Sequence, residues 1–189
     1  RYSMSISMYK TIAITNRNLV KGDFLTQIRK ICGQKVDMIL LREPDLSQEM
    51  YVALAEKVKV ICDEHQVELR WHFFAKVAHE VGEKSIHLPL RILEKTDVES
   101  YFETISTSVH SVEEARRGKA AGATELLVSN IYRTKCKPDL EGKGLLLIEQ
   151  IKSETGLPIY ALGGINRDRI HFFLYACADG ICMMSELMK

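Results

Sequence analysis

Three observations predict a single α/β domain spanning residues 1–189, folded as a (β/α)8 TIM barrel. Short apolar and β-branched runs alternate with longer amphipathic runs along all 189 residues. The strand-like runs are apolar almost continuously, as burial of both faces of a parallel sheet requires. Eight strand–helix units can be counted. An open doubly wound sheet shares the alternation, but the number eight favours closure into a barrel, whose working loops lie at the C-terminal ends of the strands.

The first strand is expected at Tyr9–Thr15, followed by a helix over Asp23–Cys32. Val36–Arg42 is the second strand. The helix after it runs from Ser47 to His65, with Tyr51, Leu54, Val58 and Ile61 or Cys62 at helical spacing and Ser47 placed to cap it. Val67–Phe73 and Ser85–Leu88 are the third and fourth strands, and Phe102–Val109 the fifth. Ser111 with Glu114 three residues on has capping-box spacing and opens a helix. Leu126–Tyr132 is the sixth strand, Gly144–Glu154 a helix, Pro158–Leu162 the seventh strand and Arg167–Ala178 a helix. Gly180–Met184 is the eighth strand. The sequence ends soon after it, so the eighth helix is expected to be short or missing.

Composition narrows the function classes. A formal net charge of +1 gives no basic field for nucleic acid or an acidic membrane. No apolar run has the ~20 residues of a membrane helix. The first nine residues do not read as a signal peptide. Five cysteines, Cys32, Cys62, Cys136, Cys177 and Cys182, form no C-x-x-C pair. Buried thiols in a reducing cytosol are expected, rather than disulfides or a zinc site.

Chemistry concentrates at the predicted strand ends. Gly163-Gly164 follows strand seven and Ser185 follows strand eight, the loops where barrels commonly bind phosphate. Glycines there let the backbone approach an anion and present N–H donors. Gly-Gly also suits a plain tight turn, and Glu186 would repel a phosphate unless turned away. Arg42, after strand two, suits a bidentate anion contact or an ion pair with Glu43 or Glu68. The loop after strand six carries Asn130, Thr134 and Lys137, either as anion donors or as a solvated stretch. His72 and His87 lie near the ends of strands three and four and His110 closes strand five; each suits proton transfer or a structural role. His65, His79 and His171 fall on helices, where solvation is expected.

The motifs resemble the thiamin phosphate synthase/TenI superfamily. Ser108-Val109-His110-Ser111 leading into Glu113-Glu114-Ala115 is similar to its signature after strand five. Thr134-x-Cys136-Lys137 with Leu140-Glu141-Gly142-x-Gly144 resembles the strand-six loop of TenI-like proteins. Pro158-Ile159-x-Ala161-Leu162-Gly163-Gly164-Ile165 and Leu41-Arg42-Glu43 resemble two further segments. The resemblance implies a (β/α)8 barrel that recognises a thiazole phosphate through Gly163, Gly164 and Ser185, with Ser108, Thr134 and Lys137 lining the site. Synthases of the family condense a hydroxymethylpyrimidine diphosphate with thiazole phosphate using Mg²⁺. TenI-like members bind thiazole phosphate, and some aromatise it by a proton shift. Family members are often homodimers.

This chain departs from the synthase pattern where the diphosphate and metal would sit. Pro44 stands in place of a lysine, His72-Phe73 in place of an Asn-Asp pair, and His87-Leu88-Pro89-Leu90 in place of H-x-G-Q. Hard cation and carboxylate ligands are thereby lost. It departs from the tautomerase pattern too, with Asn130 where a histidine ends strand six; asparagine orients but takes no proton at neutral pH. The expectation is a cytoplasmic TenI-like protein isomerising a thiazole phosphate without a cofactor, with Asn130 orienting the ring and His72 or His87 moving the proton. A Mg²⁺-dependent synthase and a non-catalytic carrier or regulator that keeps the ligand site are the alternatives. An unrelated phosphosugar isomerase on the same barrel is disfavoured by the strand-six motif.

Overall fold

The computed structural model describes residues 9–98, 100–129, 141–163 and 178–189. Eight parallel strands close in sequential order, β8 pairing with β1. They are β1 (Lys10–Ile14), β2 (Met38–Leu41), β3 (Glu68–His72), β4 (Ser85–His87), β5 (Thr104–Val109), β6 (Glu125–Val128), β7 (Ile159–Leu162) and β8 (Gly180–Met183). Helices α1 (Phe24–Cys32), α2 (Gln48–Glu64), α3 (Ala75–Glu80), α4 (Leu90–Leu93), α5 (Val112–Ala120) and α6 (Glu141–Thr155) connect β1 through β7. The sequence pattern had not marked α3 and α4 individually; they are too short for a periodic signal. The expected helix over 167–178 and the end of the expected sixth strand fall largely or wholly outside the described residues. After β8 comes a turn over 185–187 rather than a helix.

The strands are one to three residues shorter than the apolar runs suggested, because ladder pairing stops before burial does. Phe102, for example, is buried yet precedes β5. Caps fix the helix starts. The side chains of Asp23, Ser47 and Ser111 accept from the backbone N–H of Thr26, Met50 and Glu114. The expected capping box on α5 is only half formed: the Glu114 carboxylate reaches back to the N–H of His110, not to that of Ser111.

Two cores follow from the pleat. Outward residues such as Ile39, Trp71, Ile86, Val128 and Ile181 pack with the helices. Inward residues Ile12, Ile14, Met38, Leu40, Leu127, Tyr160 and Cys182 form a separate cluster inside the barrel. Between β7 and β1 the strand β8 runs very close to its neighbours. A Cβ on Gly180 would lie 2.2 Å from the Lys10 carbonyl oxygen and 2.8 Å from the Tyr160 ring, so only glycine fits.

The remaining part of the interior is polar. Arg70 on β3 is 2 % exposed. It pairs with Glu68 at 2.9 Å and with Glu125 on β6 at 2.6 Å, and it donates to Ser106 Oγ at 3.2 Å. Ser85 Oγ donates to the same Glu68 carboxylate at 2.9 Å. A buried guanidinium is tolerated only when so compensated. The barrel is thus apolar towards β1, β2, β7 and β8 and polar across β3 to β5, with β6 giving Leu127 to the apolar side and Glu125 to the polar one.

Candidate active site at the barrel mouth

The polar sector continues upward to the C-terminal strand ends. Parallel register sets His72 on β3 beside His87 on β4, and His87 beside Ser106 on β5. The two imidazoles stack, with centroids 5.4 Å apart and planes at 19°. His87 is 2 % exposed. Its Nδ1 lies 2.9 Å from Ser106 Oγ and its Nε2 3.1 Å from Ser108 Oγ. Burial, then the neighbouring His72, Arg70 and Arg42, hold His87 well below the usual histidine range. His72, lowered to about 4 by burial and by Arg42, is also neutral at physiological pH.

Arg42 follows β2, its backbone N–H held by Thr15 Oγ1 at 3.0 Å. Both partners that could have neutralised it are taken. The buried Glu43 accepts from the Arg17 N–H at 2.9 Å and pairs with its guanidinium at 3.1 Å, and Glu68 serves Arg70. Among the described residues the Arg42 guanidinium makes no ion pair. It opens instead onto a cleft of ≈ 320 Å³, shared with His72, Phe73, Phe74, Pro89 and Arg91. Among the described residues the cleft therefore presents two arginines and two phenylalanine rings, with its one carboxylate, Glu43, already committed.

Arg91 is a cation that the sequence reading did not single out. It lies on α4, a four-residue helix without a periodic signal. Phe73 and Phe74 were likewise passed over. Both have positive φ, 74° and 49°, a left-handed conformation costing roughly 1–2 kcal/mol per residue for such side chains. Contacts hold them there: Phe73 N donates to the His87 carbonyl at 3.0 Å, and the Phe74 ring packs on Tyr51 at 5.1 Å. Tyr51 also fixes the approach of β2 and β3. Its hydroxyl donates to the Leu41 carbonyl at 2.6 Å and accepts from the His72 N–H at 2.9 Å.

The expected phosphate residues lie across the mouth on neighbouring strands. Gly163 follows β7 with φ 115°, a value that favours glycine. Ser185 is exposed in the turn after β8, beside an exposed Glu186. The structure brings together Arg42, His72, His87 and Ser108 on one side, and Gly163 and Ser185 on strands that pair with each other on the other. Gly164, Asn130, Thr134 and Lys137 lie outside the described residues. His110 is exposed, with Nδ1 3.1 Å from Glu114 on its own surface turn. His65 and His79 are exposed, His79 resting on the Tyr101 ring at 4.6 Å. Cys32, Cys62 and Cys182 are buried free thiols.

Closed eight-stranded barrels with a polar mouth form a broad class, and comparison narrows it. The thiamine monophosphate synthase (TMP-TENI) family pattern matches residues 11–187, and the chain belongs to that family. It is 28% identical over 179 residues to a putative thiamine-phosphate synthase 2 of Aquifex aeolicus, covering 94% of this chain and 96% of that one. It is 28% identical over 182 residues to the thiamine-phosphate synthase of Clostridium tetani, covering 93% and 86%. A thiamine phosphate pyrophosphorylase structure from Pyrococcus furiosus superposes with TM-score 0.79 at 21% identity, covering 96% of this chain and 89% of that chain, a likeness of fold. No helix among the described residues is long and apolar enough to cross a membrane.

The family's synthases imply Mg²⁺, and the cleft does not fit it. Mg²⁺ selects several hard oxygen ligands, usually carboxylates and phosphates. The described cleft offers Arg42, Arg91 and His72, while its carboxylate is held by Arg17. Among the described residues no three His, Cys, Asp or Glu side chains converge to hold a metal.

Proposed function

We propose that this cytoplasmic protein is a TenI-like member of the family that binds a thiazole phosphate carboxylate and aromatises it by moving a proton. One observation carries the reading: Arg42, an arginine without a carboxylate partner among the described residues, opens onto the same cleft as His72, a histidine held neutral. The guanidinium, with Arg91 beside it, suits a ring carboxylate, and a neutral imidazole accepts a proton from an adjacent ring carbon. Phe73 and Phe74, set edge to face at 82°, give an apolar wall against which a heteroaromatic product packs. The phosphate lies at the opposite rim, on the Gly163 amide and on Ser185, to which the family resemblance adds Gly164. Asn130 orients the ring and Thr134 and Lys137 line the entrance, as the family resemblance implies. The proton leaves a ring carbon for an imidazole and is returned elsewhere on the same ligand, so no second substrate is consumed.

A synthase is the second reading, favoured by the names of the relatives. It requires a Mg²⁺–diphosphate complex that the cleft's donor set does not match. NMR of the protein with the non-aromatic thiazole phosphate carboxylate, alone and then with pyrimidine diphosphate and Mg²⁺, separates the two. Aromatisation in the first tube is the expected result. Thiamin phosphate formed only in the second tube overturns it in favour of the synthase. Ligand line-broadening with no turnover in either overturns it in favour of a carrier.

A further inference from the structure

The hydrogen bonds under the mouth have a direction that fixes where their protons lie. Arg70 is a guanidinium and only donates. One Nη1 proton goes to Glu125 Oε2 at 2.6 Å and the other to Ser106 Oγ at 3.2 Å. Ser106 is fully buried, so its own hydroxyl proton needs an acceptor. The acceptor in reach is His87 Nδ1 at 2.9 Å. Were Nδ1 protonated, Ser106 Oγ would receive two donors and leave its own proton unsatisfied in the barrel interior, the costly arrangement for a buried hydroxyl. A doubly protonated ring is disfavoured by its surroundings as well, which are cationic or neutral: Arg70 and His72 on β3, Arg42 after β2, and Ser106 and Ser108 on β5. Nδ1 is therefore the acceptor and Nε2 carries the proton. That proton points to Ser108 Oγ at 3.1 Å. Ser108 is half-buried at the mouth, and its own proton is left to point to whatever sits above it.

We propose that Arg70, acting through Ser106, locks His87 as the neutral Nε2–H imidazole and so turns the Ser108 hydroxyl into a donor aimed at an acceptor atom of the ligand. Arg70 and His87 are then positioning residues. His87 has no free lone pair to take a proton, since Nδ1 receives from Ser106 and Nε2 is protonated. Proton transfer falls to His72 alone. Ser108 thereby offers its proton to a carboxylate or phosphate oxygen, or to an unprotonated ring nitrogen, at that place. The proton positions are a property of the free protein; only the role of Ser108 towards the ligand rests on the proposed function.

Long-range ¹H–¹⁵N NMR of histidine-labelled protein, with the His87 signals assigned by their loss in His87→Gln, reads the tautomer directly. The free wild-type protein is expected to show protonated Nε2 and bare Nδ1 from pH 8 to pH 5. Ser106→Ala removes the donor to Nδ1 and is expected to give a mixture of the two tautomers. A wild-type ring protonated on Nδ1 overturns the proposal. So does an unchanged, pure Nε2–H ring in Ser106→Ala. If that variant does not fold, the wild-type spectrum still decides. Failure of the thiazole phosphate carboxylate to bind a protein with the expected tautomer refutes the ligand reading and leaves the lock standing.

Discussion

Acidification between pH 7 and pH 5 tests the buried histidine pair through stability alone. His72 drops from an ordinary value of 6.5 to about 4 on folding, through burial and the adjacent Arg42. Between those two values the unfolded chain binds a proton that the folded chain refuses, so stability falls as pH falls. Each pH unit in that window costs about 1.4 kcal/mol, which makes the loss from His72 roughly 2 kcal/mol by pH 5 and about 3 kcal/mol once pH has passed the folded value. His87 is shifted in the same direction and adds to the slope. The carboxylates held low by partners, Asp45 with Arg17, Glu94 with Arg117 and Glu154 with Arg116, act below this window and are exposed. Urea denaturation at pH 7, 6 and 5 of the wild type and of His72→Gln measures the effect. The variant is expected to lose about 2 kcal/mol less than the wild type over this range. Parallel losses in the two proteins would refute the claim that folding suppresses protonation of His72.

Three further outcomes follow from single contacts. Tyr51→Phe removes the hydroxyl that bridges the Leu41 carbonyl and the His72 N–H inside the core; it is expected to cost about 2–4 kcal/mol in urea denaturation. Gly180→Ala puts a methyl group 2.2 Å from the Lys10 carbonyl; circular dichroism should show a fold lost or destabilised by more than about 3 kcal/mol, as overpacking against backbone allows no rotamer escape. Arg42→Gln removes a guanidinium that has no ion-pair partner among the described residues. Calorimetry with the thiazole phosphate carboxylate should show affinity lower by about tenfold or more, with a melting temperature changed little.

The barrel was legible because its signals are local and repeated. Runs such as Met38–Leu41 and Ile159–Leu162 are apolar at every position, as strands buried on both faces must be. Ser47 and Ser111 announced their helices by side-chain chemistry. Strand placement also put His72 and His87 at neighbouring strand ends, where register then stacked them. What the sequence could not show was pairing across the barrel. Arg42 read equally well as a partner of Glu43 or Glu68, and only the structure gives those carboxylates to Arg17 and Arg70. Arg70 carried no sequence signal of its own within the third strand. Its place beneath His87 depends on Glu125, 55 residues away, and on Ser106, 36 residues away. Phe73 and Phe74 were missed for a related reason: consecutive positive φ angles in phenylalanine have no sequence signal and exist only because Tyr51 and His87 hold them.

If a neutral His72 moves the proton while Arg42 holds the ligand, the two side chains must separate in steady-state aromatisation of the thiazole phosphate carboxylate, followed by NMR in wild type, His72→Gln and Arg42→Gln. His72→Gln is expected to lower kcat by a factor of about 10² or more with KM little changed. Arg42→Gln is expected to act chiefly on KM. Turnover of His72→Gln at the wild-type rate would rule out proton transfer by His72.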